Sequence, residues 1–203
     1  MTDTKCWAVI AIKGPGQRKV RLAGVLGRPE RDLLALEMFR HVFETTSALF
    51  GPGRILVVSP GPVPMVGAAA TLWDDGSCLN AAFDLGRRRA FAAGAGKVLL
   101  LPADLPALQG ADLQAVLNAG LEASVVLAPA SAGGGTNGLL LDRTARSFPL
   151  AFGPGSFSAH RRAALARALS WQLVRRAGLE ADVDHPADLD LPLLARSLAS
   201  ARA

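Results

Sequence analysis

The chain has 203 residues, a net charge of +5 and hydrophobic side chains at half of its positions. This length predicts a single domain over residues 1–203, and the apolar content predicts a sizeable core and excludes a disordered or fibrous chain. The positive charge favours anionic partners such as nucleotides and phosphorylated metabolites.

The predicted elements alternate between short apolar strands and amphipathic helices. In chain order, the predicted strands are CWAVIAIK, RILVVS, KVLLLP, SVVLAP, GLLLD, WQLVRR and LEADVD. The predicted helices are RPERDLLALEMFRHVFETTSAL, CLNAAFDLGRRRAFAAGAG, GADLQAVLNAGLE, SFSAHRRAALARAL and PADLDLPLLARSLAS. This alternation predicts an α/β fold with a mixed, mostly parallel sheet flanked by helices. In such sheets, ligands bind beyond the carboxyl ends of the strands.

The cysteines and the apolar runs bear on where the protein works. Cys6 and Cys78 are far apart and have neither metal-site spacing nor the density of a disulfide framework, which favours a reducing cytoplasm. Charges, prolines or glycines interrupt every apolar run, so we expect neither a signal peptide nor a membrane span.

A glycine loop follows the first predicted strand. Gly14 and Gly16 allow the backbone to approach a phosphate closely, and positive charge around them comes from Lys13, Arg18, Lys19 and Arg21. The spacing matches neither the Walker loop nor the dinucleotide fingerprint, so a plain turn between strand and helix remains an alternative.

Acidic residues end two of the predicted strands. Asp104 follows KVLLLP between two prolines, where a carboxylate can hold a divalent metal against phosphates; the alternative is a turn or helix-capping aspartate. Asp184 lies at the end of LEADVD on the same face as Asp182 and is a candidate second metal ligand. The competing interpretation of Asp184 is an N-cap before Pro186.

Two more glycine clusters, at residues 133–137 and 153–157, flank the predicted strand GLLLD. Thr136 and Ser156 add a hydroxyl to each cluster, and Ser156 begins a predicted helix, where unsatisfied amides favour an anion. We expect both clusters to return to one rim and form an anion pocket. The alternative is that Ser156 only caps its helix and the glycines only turn the chain.

The remaining polar residues give weaker signals. Asn80, near the start of the second predicted helix, can hydrogen-bond a base edge, with Asp75 or Ser77 as the expected helix cap. His41 and His160 lie on basic helices and are expected to be solvated, and the three histidines form neither a catalytic triad nor a zinc site. The arginine clusters lack the interleaved aromatic residues of a nucleic-acid platform.

Taken in order, the motifs WAVIAIK, RKVRLAG, LNAA, LPADLP, GGGTN, FGPGSF and DVDHPADL resemble the phospholactate guanylyltransferase family, from Trp7 to Leu189. The resemblance implies a nucleotide-diphospho-sugar transferase-like fold. It also implies an enzyme that transfers GMP from GTP to the phosphate of 2-phospho-L-lactate, phosphoenolpyruvate or 3-phospho-D-glycerate and releases pyrophosphate. This reaction belongs to the biosynthesis of the deazaflavin coenzyme F-420.

By position, the resemblance also implies which residues form the site. The residues expected to act in catalysis are Lys13, Lys19 and Asp104. The further residues expected to bind the nucleotide are Gly14, Gly16, Arg18, Arg21 and Asn80. The acceptor acid is expected to contact Thr136, Asn137, Gly153 and Ser156. Mg²⁺ is the implied cofactor, with Asp104 and Asp184 as its ligands.

Two other functions remain open at this point. One is another nucleotidyltransferase of the same fold, of the molybdopterin or sugar type. The other, from a different class, is a non-catalytic basic module that binds nucleic acid. Such a module does not explain the acid Asp104 at the end of the strand KVLLLP. The expected partners are GTP and a small phosphorylated acid, without nucleic acid or membrane, and a homodimer is left open.

Overall fold

The computed structural model describes residues 6–63, 70–76, 78–131 and 134–190. The described strands are β1 (Cys6–Ala11), β2 (Ile55–Ser59), β3 (Ala70–Trp73), β4 (Lys97–Pro102), β5 (Val125–Pro129), β6 (Thr136–Asp142) and β7 (Trp171–Leu173). The described helices are α1 (Arg28–Phe50), α2 (Leu79–Ala92), α3 (Gly110–Ala119), α4 (Ser156–Ala166) and α5 (Ala177–Glu180). None of these helices is both long enough and apolar enough to cross a membrane.

The strands form one sheet in the order β3-β2-β1-β4-β6-β5-β7. β6 pairs antiparallel with both β4 and β5, whereas every other neighbouring pair is parallel. The predicted α/β fold with a mixed, mostly parallel sheet is therefore confirmed. Because β6 runs in the opposite direction, its first residue, Thr136, pairs with the last residue of β5, Pro129. The start of β6 thus lies at the edge where the parallel strands end.

Helices cover both faces of the sheet, and alternate residues of β4 show the two layers. Val98 and Leu100 pack with α2 and α4, whereas Leu99 and Leu101 pack with α1 and α3. A strand that is buried on both faces reads as a continuous apolar run, which is why KVLLLP has no polar alternation. A smaller cluster joins α1 to the segment after β1 and to Val183.

Three sequence predictions of elements need correction. LEADVD is not a strand, because Leu179 and Glu180 lie in the helical turn α5, and residues 181–184 have no strand partner. β3 was not predicted, since it is a half-exposed edge strand with little apolar signal. The last predicted helix begins as a 3-10 turn, Pro186–Asp190, and the rest of it lies outside the described residues.

Candidate functional site

A buried lysine lies between two carboxylates at the carboxyl edge of the sheet. Lys19 Nζ donates to Asp104 Oδ2 at 2.5 Å and to the carbonyl oxygen of Val183, and it lies 3.5 Å from Asp184 Oδ1. The Lys19 side chain is 7% exposed, against 26% for Asp104 and 43% for Asp184. Arg21 Nη1 pairs with the other oxygen of Asp184 at 2.8 Å. The structure therefore brings four predicted site residues into one cluster, which we call the lysine–aspartate cluster.

Local structure explains how these side chains meet. β4 ends at Pro102, which delivers Asp104 just beyond the edge of the sheet. Lys19 precedes a 3-10 turn and has a left-handed backbone with φ of 49°. That conformation costs a non-glycine residue roughly 1 kcal/mol or more, so the surroundings must hold it. Leu22, fully buried in the same turn, and Val183 pack together in the small cluster beside α1 and fix both sides of the site.

Burial and neighbouring charges shift the pKa values of the charged groups at this edge. Burial alone would lower the pKa of Lys19, but the charges and hydrogen bonds of Asp104 and Asp184 outweigh burial and raise it. The lysine is therefore a fixed positive charge at neutral pH. Burial is the main cause that raises the pKa of nearby Asp182, and the negative charge of Asp104 raises it further. A hydrogen bond from Asn137 acts in the opposite direction. The edge carries more carboxylates than its single buried ammonium neutralises.

The oxygen atoms around Lys19 Nζ suit a hard divalent cation. Asp104 Oδ2, Val183 O and Asp184 Oδ1 all face one positively charged position. Carboxylate and carbonyl oxygens are donors that Mg²⁺ accepts, usually one or two carboxylates completed by water and substrate phosphate. Among the described parts of the chain, no group of three or more His, Cys, Asp and Glu side chains forms a metal site. A magnesium ion shared with substrate phosphates does not require such a group.

The glycine loop after β1 is closed by an acid from α1. The Gly16 amide donates to both carboxylate oxygens of Asp32, at 3.1 and 3.2 Å, and Gly16 has a positive φ of 80°. Arg18 is buried and donates from Nε to the carbonyl of Lys13 at 2.8 Å, while the Lys13 side chain is exposed. One terminal nitrogen of Arg18 has no hydrogen-bond partner among the described residues. Contacts of this loop, including Gly14, with a nucleotide stay predictions.

A second group of buried polar side chains lies where β6 and α4 begin. Ser156 Oγ donates to Thr136 Oγ1 at 3.2 Å, and His160 Nδ1 lies 3.0 Å from the same oxygen. The amide of Ala151 donates to His160 Nε2 at 2.9 Å. Thr136, Ser156 and His160 are 6%, 1% and 0% exposed. We call these three side chains the hydroxyl–imidazole cluster; it brings together both hydroxyls that the sequence singled out.

The two glycine clusters meet at this point, as predicted. The amide of Phe157 donates to the carbonyl of Gly134 at 2.9 Å, and a Cβ on Gly134 would lie 3.8 Å from the Cα of Gly155. Gly155 occupies the N-cap position of α4 in a left-handed conformation, with no side-chain cap. The alternative role of Ser156 as the helix cap is therefore wrong. Gly133 lies outside the described residues.

Two asparagines of the predicted site bond to main chain. Asn80 accepts from the Phe152 amide at 2.7 Å and donates to the Phe152 carbonyl at 3.1 Å, which uses both ends of its amide. Asn137 donates to the Leu179 carbonyl at 2.9 Å. Their contacts with guanine and with the acceptor stay predictions. The N-cap of α2 is Cys78, so Asp75 does not take that role, and Ser77 lies outside the described residues.

The structure also decides the competing interpretation of Asp184. Asp188 Oδ2 accepts the backbone amides of Asp184 at 2.8 Å and His185 at 2.6 Å, so Asp188 caps this turn. The Asp184 carboxylate is left to pair with Lys19 and Arg21. Its alternative role as an N-cap is therefore wrong.

One residue of the second group was mispredicted. His160, expected to be solvated, is fully buried. The signal was its spacing, since Ser156, His160 and Ala164 recur every fourth residue and form the buried stripe of α4. His41 is half-buried, with Nε2 2.9 Å from the carbonyl of Leu108.

A short path of contacts joins the two clusters. Asn137 follows Thr136 in β6, and its side chain hydrogen-bonds Asp182, two residues before Asp184. The fixed positive charge, the carboxylates and the paired hydroxyls therefore share one edge of the sheet. Such an arrangement can hold two anions side by side, one against a metal and one against hydroxyl and amide donors.

Comparison with known proteins gives consistent results. The model of the family described as "Guanylyl transferase CofC like" matches residues 6–197. The chain is 44% identical over 190 residues to the phosphoenolpyruvate guanylyltransferase of Rubrobacter xylanophilus, covering 90% of this chain and 91% of that protein. It is 37% identical over 192 residues to the 3-phospho-D-glycerate guanylyltransferase of Phenylobacterium zucineum, covering 89% and 86%.

Among solved structures, a protein of Desulfovibrio desulfuricans G20 assigned to the nucleotide-diphospho-sugar transferases superposes with a TM-score of 0.76. That pair is 15% identical over 98% of this chain and 94% of the other. At this identity the likeness concerns the fold alone, and it agrees with the fold that the motifs imply.

Proposed function

The chain belongs to the CofC-like guanylyl transferase family, and we propose that it transfers GMP from GTP to the phosphate of a three-carbon phospho-acid and releases pyrophosphate. The observation that carries the proposal is the shared edge, where the lysine–aspartate cluster and the hydroxyl–imidazole cluster lie side by side. We place the reaction in coenzyme F-420 biosynthesis because the motif resemblance implies that pathway. A cytoplasmic location stays an expectation.

The reaction joins two anions. A phosphate oxygen of the acceptor attacks the α-phosphorus of GTP, the bond from that phosphorus to the bridging oxygen of the β-phosphate breaks, and pyrophosphate leaves with the electron pair. The acceptor phosphate is already ionised at neutral pH, so the chain needs neither a covalent nucleophile nor a general base. What it must supply is in-line positioning and relief of charge repulsion.

The lysine–aspartate cluster provides that relief. The Lys19 ammonium and the Arg21 guanidinium bring positive charge to the triphosphate, and Lys13 and Arg18 extend it along the glycine loop. Asp104 and Asp184 would hold Mg²⁺, which when bound neutralises phosphate charge and orients the α-phosphate. Pairing with the two carboxylates keeps the Lys19 side chain in one place before substrate arrives.

The acceptor is proposed to bind at the hydroxyl–imidazole cluster. A small acid with a carboxylate and a phosphate needs several hydrogen-bond donors and little apolar surface. Thr136 and Ser156 supply hydroxyls, and Gly153 and Gly155 have no atoms within 4 Å of where a Cβ would stand, which leaves the amides accessible.

Thr136→Val and Ser156→Ala are expected to weaken use of the acceptor and not of GTP. Each removes one hydroxyl of the pair that would offer a hydrogen to the charged ligand, so kcat/KM for the phospho-acid should fall about tenfold, while the KM for GTP changes little. Steady-state kinetics with each substrate varied in turn measures both. Ser158→Ala, an exposed serine of the same helix, is the matched control. If both variants lose only thermal stability and keep normal acceptor kinetics, the acceptor binds elsewhere.

The test of the proposed function is pyrophosphate release from GTP and Mg²⁺ with phosphoenolpyruvate, 3-phospho-D-glycerate and 2-phospho-L-lactate in turn. At least one acid should raise the rate well above that of GTP alone, and the preferred acid identifies the acceptor. Replacing GTP by ATP, CTP or UTP should lower the rate. Equal rates with all four nucleotides would contradict specificity for guanine. If none of the three acids raises the rate, the proposed function is overturned.

A further inference from the structure

A buried histidine in the described part of the chain has no role in the proposed chemistry. His160 is fully buried on the inward face of α4, between the rings of Phe148 and Phe152, with centroids 6.0 and 5.1 Å away. Each ring nitrogen has one polar neighbour, the Ala151 amide at Nε2 and Thr136 Oγ1 at Nδ1. Burial lowers the pKa of His160 to about 4, so the imidazole is neutral at physiological pH.

These neighbours fix the tautomer. A backbone amide can only donate, so Nε2 of His160 must accept from Ala151 and carry no proton. In a neutral imidazole the proton is then on Nδ1, which donates to Thr136 Oγ1. His160 therefore donates into the hydroxyl pair and takes no proton from it.

The direction of the His160 hydrogen bond determines how many hydroxyl hydrogens Thr136 and Ser156 can offer to a ligand. Thr136 and Ser156 carry two hydroxyl hydrogens, and the bond between the two oxygens uses one of them. Because His160 also donates, the second hydrogen has no acceptor within the cluster. With the opposite tautomer, Nδ1 would accept that hydrogen and the pair would have none left to offer a ligand.

We propose that His160 is a positioning residue for the acceptor acid: its Nδ1–H keeps one hydroxyl hydrogen of the Thr136–Ser156 pair free to bind the substrate. The inference rests on the proposed acceptor pocket. The same side chain holds the loop that enters this pocket, since Nε2 anchors the Ala151 amide two residues before Gly153. Asn80 anchors the next residue, Phe152, through both its amide and its carbonyl.

Two isosteric variants separate the two roles of the ring. In His160→Asn the amide nitrogen stands near the Nδ1 position and can still donate to Thr136, but nothing reaches Ala151. In His160→Gln the amide oxygen stands near the Nε2 position and can accept from Ala151, but the donor to Thr136 is lost. His160→Gln is expected to lower kcat/KM for the acceptor about tenfold further than His160→Asn, which loses only the loop anchor, with the KM for GTP unchanged in both.

His41→Gln is the control for a general loss of stability, because His41 also hydrogen-bonds the main chain, at the Leu108 carbonyl, but is half-buried and lies on α1. All variants are assayed below the lowest Tm. Equal acceptor kinetics of His160→Asn and His160→Gln, or a loss of Tm without any change in acceptor KM, would overturn the positioning role. If wild-type protein uses no phospho-acid, the proposed function fails instead, so the two failures are distinct.

A direct measurement does not depend on the variants folding. Long-range ¹H–¹⁵N correlation spectra of ¹⁵N-histidine-labelled wild-type protein report which ring nitrogen of each histidine carries the proton. His160, assigned by its absence from a His160 variant or by its resistance to titration near neutral pH, should show the Nδ1–H tautomer. The Nε2–H tautomer, or a charged ring at pH 7, would contradict the inference.

Discussion

Asp104→Asn is expected to abolish guanylyl transfer and leave the fold intact. Asparagine keeps the shape of the side chain but removes the charge that pairs with Lys19 and would hold Mg²⁺. Metal and charge stabilisation of a transferring phosphate is worth several kcal/mol, so kcat should fall about a thousandfold. Pyrophosphate release over a range of Mg²⁺ concentrations, together with circular dichroism of the purified variant, measures both expectations.

The matched control for Asp104 is a carboxylate that serves the fold. Asp112 is buried, pairs with Arg176 at 2.9 Å and caps α3 through the Gln109 amide at 3.0 Å. Asp112→Asn should lower the Tm and spare kcat. Near-normal turnover of Asp104→Asn in limiting Mg²⁺ would make Asp104 structural as well.

Lys19→Met is expected to lower both activity and metal-free stability. Methionine keeps an unbranched apolar chain but leaves Asp104 and Asp184 facing each other without the buried ammonium. Removing one partner of a buried ion pair costs about 3 kcal/mol, which in a chain of this size lowers the Tm by about 6–12 °C. Loss of positive charge at the triphosphate should lower kcat at least about a hundredfold.

Magnesium separates the two effects of this variant. In EDTA the Tm of Lys19→Met should be well below that of wild type, and added Mg²⁺ should raise it more than it raises the wild-type Tm, because the ion supplies the missing charge. Thermal melts with and without Mg²⁺ measure this difference. Equal Mg²⁺ shifts in the two proteins would show that the carboxylates around Lys19 do not form the metal site.

Sequence reasoning located the parts of the site that depend on local pattern. A fully apolar run ended by Pro102 predicts a buried strand, and the acid two residues later must then lie at its carboxyl edge. The glycine-flanked hydroxyls of Thr136 and Ser156 could also be predicted, because the residues that form a turn are neighbours in the sequence. The tight turn around Lys19 was not predicted, because its left-handed backbone is imposed by contacts with residues far along the chain.

The rest depended on strand direction and on long-range packing. The sequence does not show that GLLLD runs antiparallel to β4, yet this reversal brings Thr136 to the edge where the parallel strands end. LEADVD has the alternation of a strand, but β7 pairs with β5 and residues 181–184 pass without strand partners. His160 was wrongly predicted to be solvated because its helix is basic, whereas its spacing of four residues from Ser156 marks the buried face of that helix.

The most direct test of guanylyl transfer is to identify the bond that forms. In ³¹P NMR, wild-type protein with GTP, Mg²⁺ and the preferred phospho-acid should produce a pair of coupled doublets from a new phosphoanhydride, in equal amount to pyrophosphate, and Asp104→Asn should produce neither. Pyrophosphate accompanied by free GMP would instead show hydrolysis of GTP. Inorganic phosphate with GDP would show cleavage at the γ-phosphate, and either result would contradict transfer of GMP to the acceptor.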